Sequence, residues 1–368
     1  MSSQEPRPLS GKVALVTGAS RGIGKGIALA LAEQGATVYV TGRTVTSGSY
    51  PLPGTVGETV MEVDRRGGKG IAVQVDHAQD NQVAALFERI GREQRRLDIL
   101  VNNAFSLPED LTEPQPFWEK PLSNLEMFDV GVRSNFVAAW HAARLMVPQK
   151  SGLIVAISGY VGVTYTYGVV FGTCKSAVDR MARDMAIELK PYNVASLSMW
   201  LGLTFTERAE RNLNRNPAMK SQTVTNPLVG SSVEFPGRVI VALAKDPDIL
   251  RRSGGTFIAA ELAREYGGSG YSYIRALRHQ ELPNPKLARV PFLMKSLTAA
   301  VMASSLAIPA GNIQSLNMTL ASTAPNTTRT VSRGSTLVRP FSRRLMSEAQ
   351  RSKYICRLSI AGGAVSDS

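Results

Sequence analysis

The chain has 368 residues, 43% of them hydrophobic, with a formal net charge of +13, three histidines and two cysteines. That is enough apolar material for a packed core. Two cysteines rule out a disulfide framework or a four-cysteine zinc site, and three histidines argue against a histidine-rich metal site. The excess charge is unevenly spread: from Ser296 onward eight basic residues face only Glu348 and Asp367, which leaves +6 there and +7 before it. A mildly basic body suits an anionic cofactor. The late arginines stand singly among Ser and Thr without interleaved aromatics, so no nucleic-acid partner is expected.

In chain order, the first ten residues form a short arm without the apolar run of a signal peptide. KVALVTG then reads as a buried strand, and Ile23, Ile27 and Leu31 follow at helical spacing until Gly35 closes that helix. TVYVTG, GIAVQVD, DILVNNA, SGLIVAIS and NVASLSMW supply five more strands, with helix-length segments between the later ones. Such alternation implies an α/β fold with a doubly wound parallel sheet. Residues 44–59 and 107–121 interrupt it as loops rich in Gly, Ser or Pro, the second on the carboxyl edge of the sheet, where ligands bind. The pattern predicts a single domain over 11–270, an extension over 271–295, and a low-complexity basic tail over 296–368, expected to be disordered. No run of 18 apolar residues exists, and 297–309 is too short to span a bilayer. With no targeting segment in view, a cytoplasmic location is the expectation.

Thr17-Gly18-Ala19-Ser20-Arg21-Gly22-Ile23-Gly24 lies between the first strand and its helix. Gly18 permits a tight turn, Gly22 lets the backbone approach a pyrophosphate, and Gly24 lets the helix pack on the sheet. The helix N-terminus then offers free N–H groups to the phosphates. In its strand–helix–strand context this spacing indicates a Rossmann-type dinucleotide site. The second strand ends in Val40-Thr41-Gly42-Arg43, with no acid to take a ribose 2′-hydroxyl. Arg43 and Arg21 suit a 2′-phosphate instead, so the cofactor expected is NADP(H). The plainer reading leaves one of the two as a solvated surface charge.

These motifs resemble the short-chain dehydrogenase/reductase family over about residues 11–266. TGASRGIG matches its glycine motif, and Asp76 matches the residue that contacts the adenine. Asn102-Asn103-Ala104 matches the NNAG-type motif bordering the cofactor. Ser158 stands where the catalytic serine is expected and Lys175 follows 17 residues later, the family spacing. Thr206 keeps the place of a threonine that caps the cofactor amide. Stretches such as FWEKP, ARLMVP and LAREYG resemble one narrower branch of the family, which leaves an endoplasmic reticulum surface open as an alternative location. The resemblance implies hydride transfer between nicotinamide and a small-molecule carbonyl or alcohol, and pairing of copies into a homo-oligomer.

The resemblance breaks where it matters most. A tyrosine four residues before the lysine supplies the proton in the family; here that residue is Phe171. A phenyl ring has no proton to give, and losing a positioned acid costs on the order of 10²–10⁴ in rate. The family's helix asparagine is Gly131, and its Pro-Gly after the sixth strand is Leu201-Gly202. Tyr167, one helical turn before Phe171 if the helix begins that early, is the candidate substitute; Tyr160 and Tyr165 could line the pocket. Two readings follow: an NADP(H)-dependent oxidoreductase using another proton donor, or a cofactor-binding pseudoenzyme with little turnover.

Overall fold

The computed structural model describes residues 7–215 and 230–267. Seven strands form one parallel sheet in the order β3-β2-β1-β4-β5-β6-β9. They are β1 (Val13–Val16), β2 (Thr37–Gly42), β3 (Lys69–Gln74), β4 (Ile99–Asn102), β5 (Gly152–Gly159), β6 (Val194–Leu201) and β9 (Thr256–Ile258). A separate two-residue pairing joins β7 (Leu203–Thr204) to β8 (Gly230–Ser231). The helices are α1 (Gly22–Glu33), α2 (Val56–Arg65), α3 (Asp80–Gln94), one-turn α4 (Glu126–Phe128), α5 (Ser134–Gln149), α6 (Val169–Leu189), α7 (Glu207–Arg215), α8 (Phe235–Lys245) and α9 (Ala259–Glu265).

Successive strand residues point to opposite faces of the sheet, and each face carries its own core. Ala14, Val16, Val38, Val40, Val155 and Leu197 pack against α1, α2, α8 and α9. Val13, Leu15, Tyr39, Leu100 and Ile154 pack against α3 and α5. The doubly wound architecture expected from the strand–helix rhythm is therefore the one observed, and all six expected strands are present. The seventh, β9, is not legible in the sequence: it is three residues long, follows Gly254-Gly255, and pairs with the end of β6 through Ser198 and Thr256. No helix among the described residues is long and apolar enough to cross a membrane. The expected extension and tail, 271–368, lie outside the described residues.

The sheet order reverses between β1 and β4, which diverge toward β3 on one side and β5 on the other. Ligands of such folds sit outside the carboxyl ends of the strands at this point. The glycine loop after β1, the Asn-Asn-Ala turn after β4 and Ser158 at the end of β5 all lie on that edge. Between β4 and α5 the helical path is broken at Val130 and Gly131, whose backbone angles are not helical.

Just past the carboxyl end of β3, His77 is 4% exposed. Its Nε2 is 2.8 Å from the Thr41 hydroxyl on β2, while its Nδ1 is buried without a partner among the described residues. Burial pushes this imidazole down to about 4, against the nearby Asp76 carboxylate and with the help of Arg43. The unfolded chain takes up a proton in the ordinary histidine range that the folded chain refuses. Stability is then lost as pH falls from about 6.5 toward about 4, by about 3 kcal/mol in all. Melting temperature followed through this window should fall steeply in the native chain, and His77→Gln should flatten that part of the profile.

Candidate active site

The glycine loop is held from the other side of the switch point. The Thr17 hydroxyl accepts the backbone N–H groups of Asn103 and Ala104, each at 2.9 Å, and donates to Val101 O at 3.3 Å. The Asn103 side-chain amide donates to the carbonyls of Thr17 and Gly18, both at 2.9 Å. Gly18 has φ +65°, and a Cβ on it would lie 2.9 Å from Ala104 Cα. A Cβ at Gly24 would come within 2.3 Å of Gly18 O. Both positions admit only glycine, and the resulting cradle has the close approach a pyrophosphate needs. Ser20 is buried, with its carbonyl accepting from Thr59. Ile23, expected in the loop's working set, packs its side chain on the core instead.

Arg21 does not cap α1. Its guanidinium donates to Pro53 O at 2.8 Å and Gly54 O at 2.6 Å, and stacks on the Tyr50 ring at 4.7 Å. The loop expected over 44–59 ends sooner, because Thr55 and Glu58 form a capping box that starts α2 at Val56, and its carbonyls at 53 and 54 fix the arginine's orientation. Burial lowers the Arg21 pKa, and Arg43 lies near enough for its charge to lower it further. Arg43, Gln74, Asp76 and Gln82 line an open recess of about 440 Å³ beyond β2 and β3. Asp76 is braced there, its Oδ1 accepting from Ala78 N and its own N–H donating to Gln82 Oε1.

At the other end, Ser158 is buried at the end of β5, its hydroxyl 3.4 Å from Lys175 O on α6. The Lys175 ammonium donates to Ile157 O at 3.0 Å. Burial pushes it down to about 8, although Cys174 and Asp179 pull the other way. The Phe105 ring faces it at 4.1 Å and the Phe171 ring at 5.8 Å. Phe171 is edge-on to both Phe105 and Tyr167, with centroids 5.5 and 5.8 Å apart. Ser158, Phe171 and Lys175 come together as expected, but Tyr167 is not one turn back on the same helix: α6 starts at Val169 after Gly168 at φ +100°, and Tyr167 reaches Phe171 from the preceding loop. Burial raises the pKa of the Tyr167 phenol, and no hydrogen bond joins it to Ser158 or Lys175. Thr206 reaches the glycine loop from the far side, its Cγ2 3.3 Å from where a Gly22 Cβ would stand. Its hydroxyl accepts from Ala209 N at the start of α7.

This arrangement matches what comparison with known proteins finds. The family model for short chain dehydrogenase matches residues 12–216. The chain is 40% identical over 273 residues to dehydrogenase/reductase SDR family member 1 of Mus musculus, covering 71% of this chain and 83% of that protein. It is 32% identical to a 3-oxoacyl-[acyl-carrier-protein] reductase of Synechocystis, covering 68% of this chain and 95% of that protein. A solved short-chain type dehydrogenase/reductase from Mycobacterium marinum superposes with a TM-score of 0.57 at 30% identity, covering 68% of this chain and 94% of that one. The chain belongs to the short-chain dehydrogenase/reductase family. The narrower likeness seen in FWEKP, ARLMVP and LAREYG is to family member 1. Proteins of this family bind a nicotinamide dinucleotide.

Against that family the chain departs in a linked way that motif spacing does not show. Phe105 occupies the fourth place of the NNAG-type motif, where the family motif has glycine. Its ring sits where a side chain at 131 would go: a Cβ on Gly131 would be 2.6 Å from Phe105 Cε2. The signal is present in the sequence, at the motif position directly after Ala104. Gly131→Ala alone should therefore cost about 1–3 kcal/mol by overpacking. Combining it with Phe105→Gly should remove most of that penalty, as read by chemical denaturation of the double variant against Phe105→Gly.

Proposed function

We propose that this chain is an NADP(H)-dependent oxidoreductase that moves hydride between nicotinamide and a small-molecule carbonyl or alcohol. The observation that carries it is Lys175 buried beside Ser158 at the carboxyl edge of the sheet, in line with a cradle that only glycine permits. The choice of NADP(H) is supported by Arg21 and Arg43, close enough for their charges to interact, with no carboxylate closing β2. When bound, the nicotinamide supplies hydride exchange at its C4.

The protein's own residues then have separate tasks. The N–H groups opening α1 and the loop Gly18, Ser20, Gly22 and Gly24 take the pyrophosphate. Arg21 and Arg43 take the 2′-phosphate, and Asp76 the adenine amine. Thr17, Ile23, Asn103 and Ala104 keep the cradle in shape. Lys175 holds the nicotinamide ribose, and Thr206 still has a hydroxyl proton for the carboxamide. Ser158 donates to the substrate oxygen and polarises the carbonyl. Phe171 moves no proton. Tyr167 is the donor this reading assigns, being the phenol packed on Phe171, and the direction it assigns is reduction. The relatives named as reductases accord with that direction.

One observation favours the second reading, a cofactor-binding pseudoenzyme: the Phe105 and Phe171 rings hold Lys175 in an apolar setting with no phenol between. The two readings separate in one assay. NADPH and NADH oxidation is followed over a carbonyl panel for the native chain, Tyr167→Phe, Ser158→Ala and Phe171→Tyr. Slow native turnover, preferring NADPH and falling at least tenfold in Tyr167→Phe and Ser158→Ala, is expected, with Phe171→Tyr faster by about 10²–10⁴. A silent native chain beside an active Phe171→Tyr would establish the pseudoenzyme.

The same reading includes pairing of two copies. Phe136 and Trp140 on α5, with Val169 and Ile187 on α6, are large apolar side chains about half or more exposed. Exposed apolar side chains on two neighbouring helices are a surface that a second copy would cover. Light scattering should give twice the chain mass or a multiple of it, and Trp140→Glu with Ile187→Glu should give the monomer.

A further inference from the structure

The pyrophosphate subsite already has an anion of the protein's own. α1 begins at Gly22 with no acidic residue in its first turn, and Arg21, which precedes it, makes no capping bond. The first N–H groups of a helix need partners and favour negative charge. The partner comes from 185 residues away: Gly22 N–H donates to Glu207 Oε1 at 3.3 Å. The other oxygen, Oε2, is 3.5 Å from where a Gly22 Cβ would stand. Glu207 is also near enough to Arg21 to offset part of the lowering that burial imposes on it, so the carboxylate sits within reach of the loop's own cation.

The contact is built by a whole helix. Glu207 is the first residue of α7, and Thr206 before it caps that helix through Ala209 N. Two helix N-termini thus meet at Gly22, a repulsive arrangement of dipoles that a carboxylate between them relieves. The next turns of α7 fasten it to both rims of the cleft. Arg208 donates to the Tyr50 hydroxyl at 3.2 Å, on the loop that orients Arg21. Arg211 donates to both Glu109 oxygens, at 2.8 and 2.7 Å, on the loop after β4.

We propose that Glu207 is the resident occupant of the pyrophosphate subsite, and that a nicotinamide dinucleotide binds by exchanging with it. The inference rests on the dinucleotide site and not on the choice of NADP(H). A pyrophosphate cannot share the Gly22 N–H with a carboxylate, and like charges this close repel. Binding therefore includes the work of moving Glu207 away, which lowers affinity below what the cradle alone would give. Glu207 is in this sense an affinity-setting residue, and the start of α7 must shift when the cofactor enters.

The test is titration of NADPH, NADH and inorganic pyrophosphate into the full-length native chain, Glu207→Gln, Glu207→Ala and Glu210→Gln, read by intrinsic fluorescence or calorimetry. Both Glu207 variants should bind all three probes tighter by about tenfold, the scale of one partly exposed charge at a helix N-terminus. Glu210→Gln, one turn along the same helix, should stay within about twofold of native. Glu207→Asp, which withdraws the carboxylate by one methylene and keeps the charge, should also tighten binding and guards against a fold defect in the other variants. Native binding of dinucleotide with no gain in any Glu207 variant would overturn the proposal while leaving the cofactor site intact. NADH binding as tightly as NADPH would overturn the NADP(H) reading while leaving Glu207's role to its own result. Failure of every form to bind any dinucleotide would overturn both.

Discussion

The hydroxyl of Thr17 and the amide of Asn103 hold the switch point of the sheet together. Between them they make five hydrogen bonds across the ends of β1 and β4, the two strands from which the sheet winds in opposite directions. Two of the five are fully buried, so losing the Thr17 hydroxyl leaves the Ala104 N–H out of water and unmet. Every other feature of the site takes its position from this clamp. The Gly18 turn rests on Ala104, Gly24 closes on the Gly18 carbonyl, and the start of α1 is aimed by both. A phosphate cradle made of backbone is only as rigid as what holds the backbone, and here two side chains do it.

At the catalytic end the decisive constraint is burial of one charge. Lys175 has a single hydrogen-bond acceptor among the described residues, the Ile157 carbonyl, and two aromatic faces. In the family a tyrosine stands one turn before the lysine and benefits from its charge. Here the ring is kept and the hydroxyl is gone, so the lysine's influence falls on the pocket at large. Tyr167 packs on Phe171 and gains burial without gaining the cation. Burial without the cation leaves this phenol a weaker acid than a free tyrosine.

Much of this is legible in the sequence, for identifiable reasons. Strand–helix alternation is set by apolar periodicity that a parallel sheet buried on both faces cannot do without. The spacing of Ser158, Phe171 and Lys175 follows from a strand end and one helix face, so counting residues places them correctly. What escapes depends on contacts distant in the chain. Thr17 and Ile23 sit in a cofactor motif, yet one is a clamp and the other core. Arg21 belongs by its motif to the cofactor, and the loop carbonyls at 53 and 54 that fix its direction have no side-chain signature. Glu207 lies 185 residues from the amide it meets, and nothing in the local pattern of α7 distinguishes it from a solvated helix acid. β9 is too short to show a period at all.

The packing of Phe105 against Gly131 also constrains the history of the site. A side chain cannot be regained at 131 while the ring is in place, and a glycine regained at 105 alone would leave a void beneath Lys175. Each single step back toward the common family pattern is thus unfavourable, although both together are not. The two positions are coupled: with the ring in place a side chain at 131 meets it, so a change at either one is felt at the other.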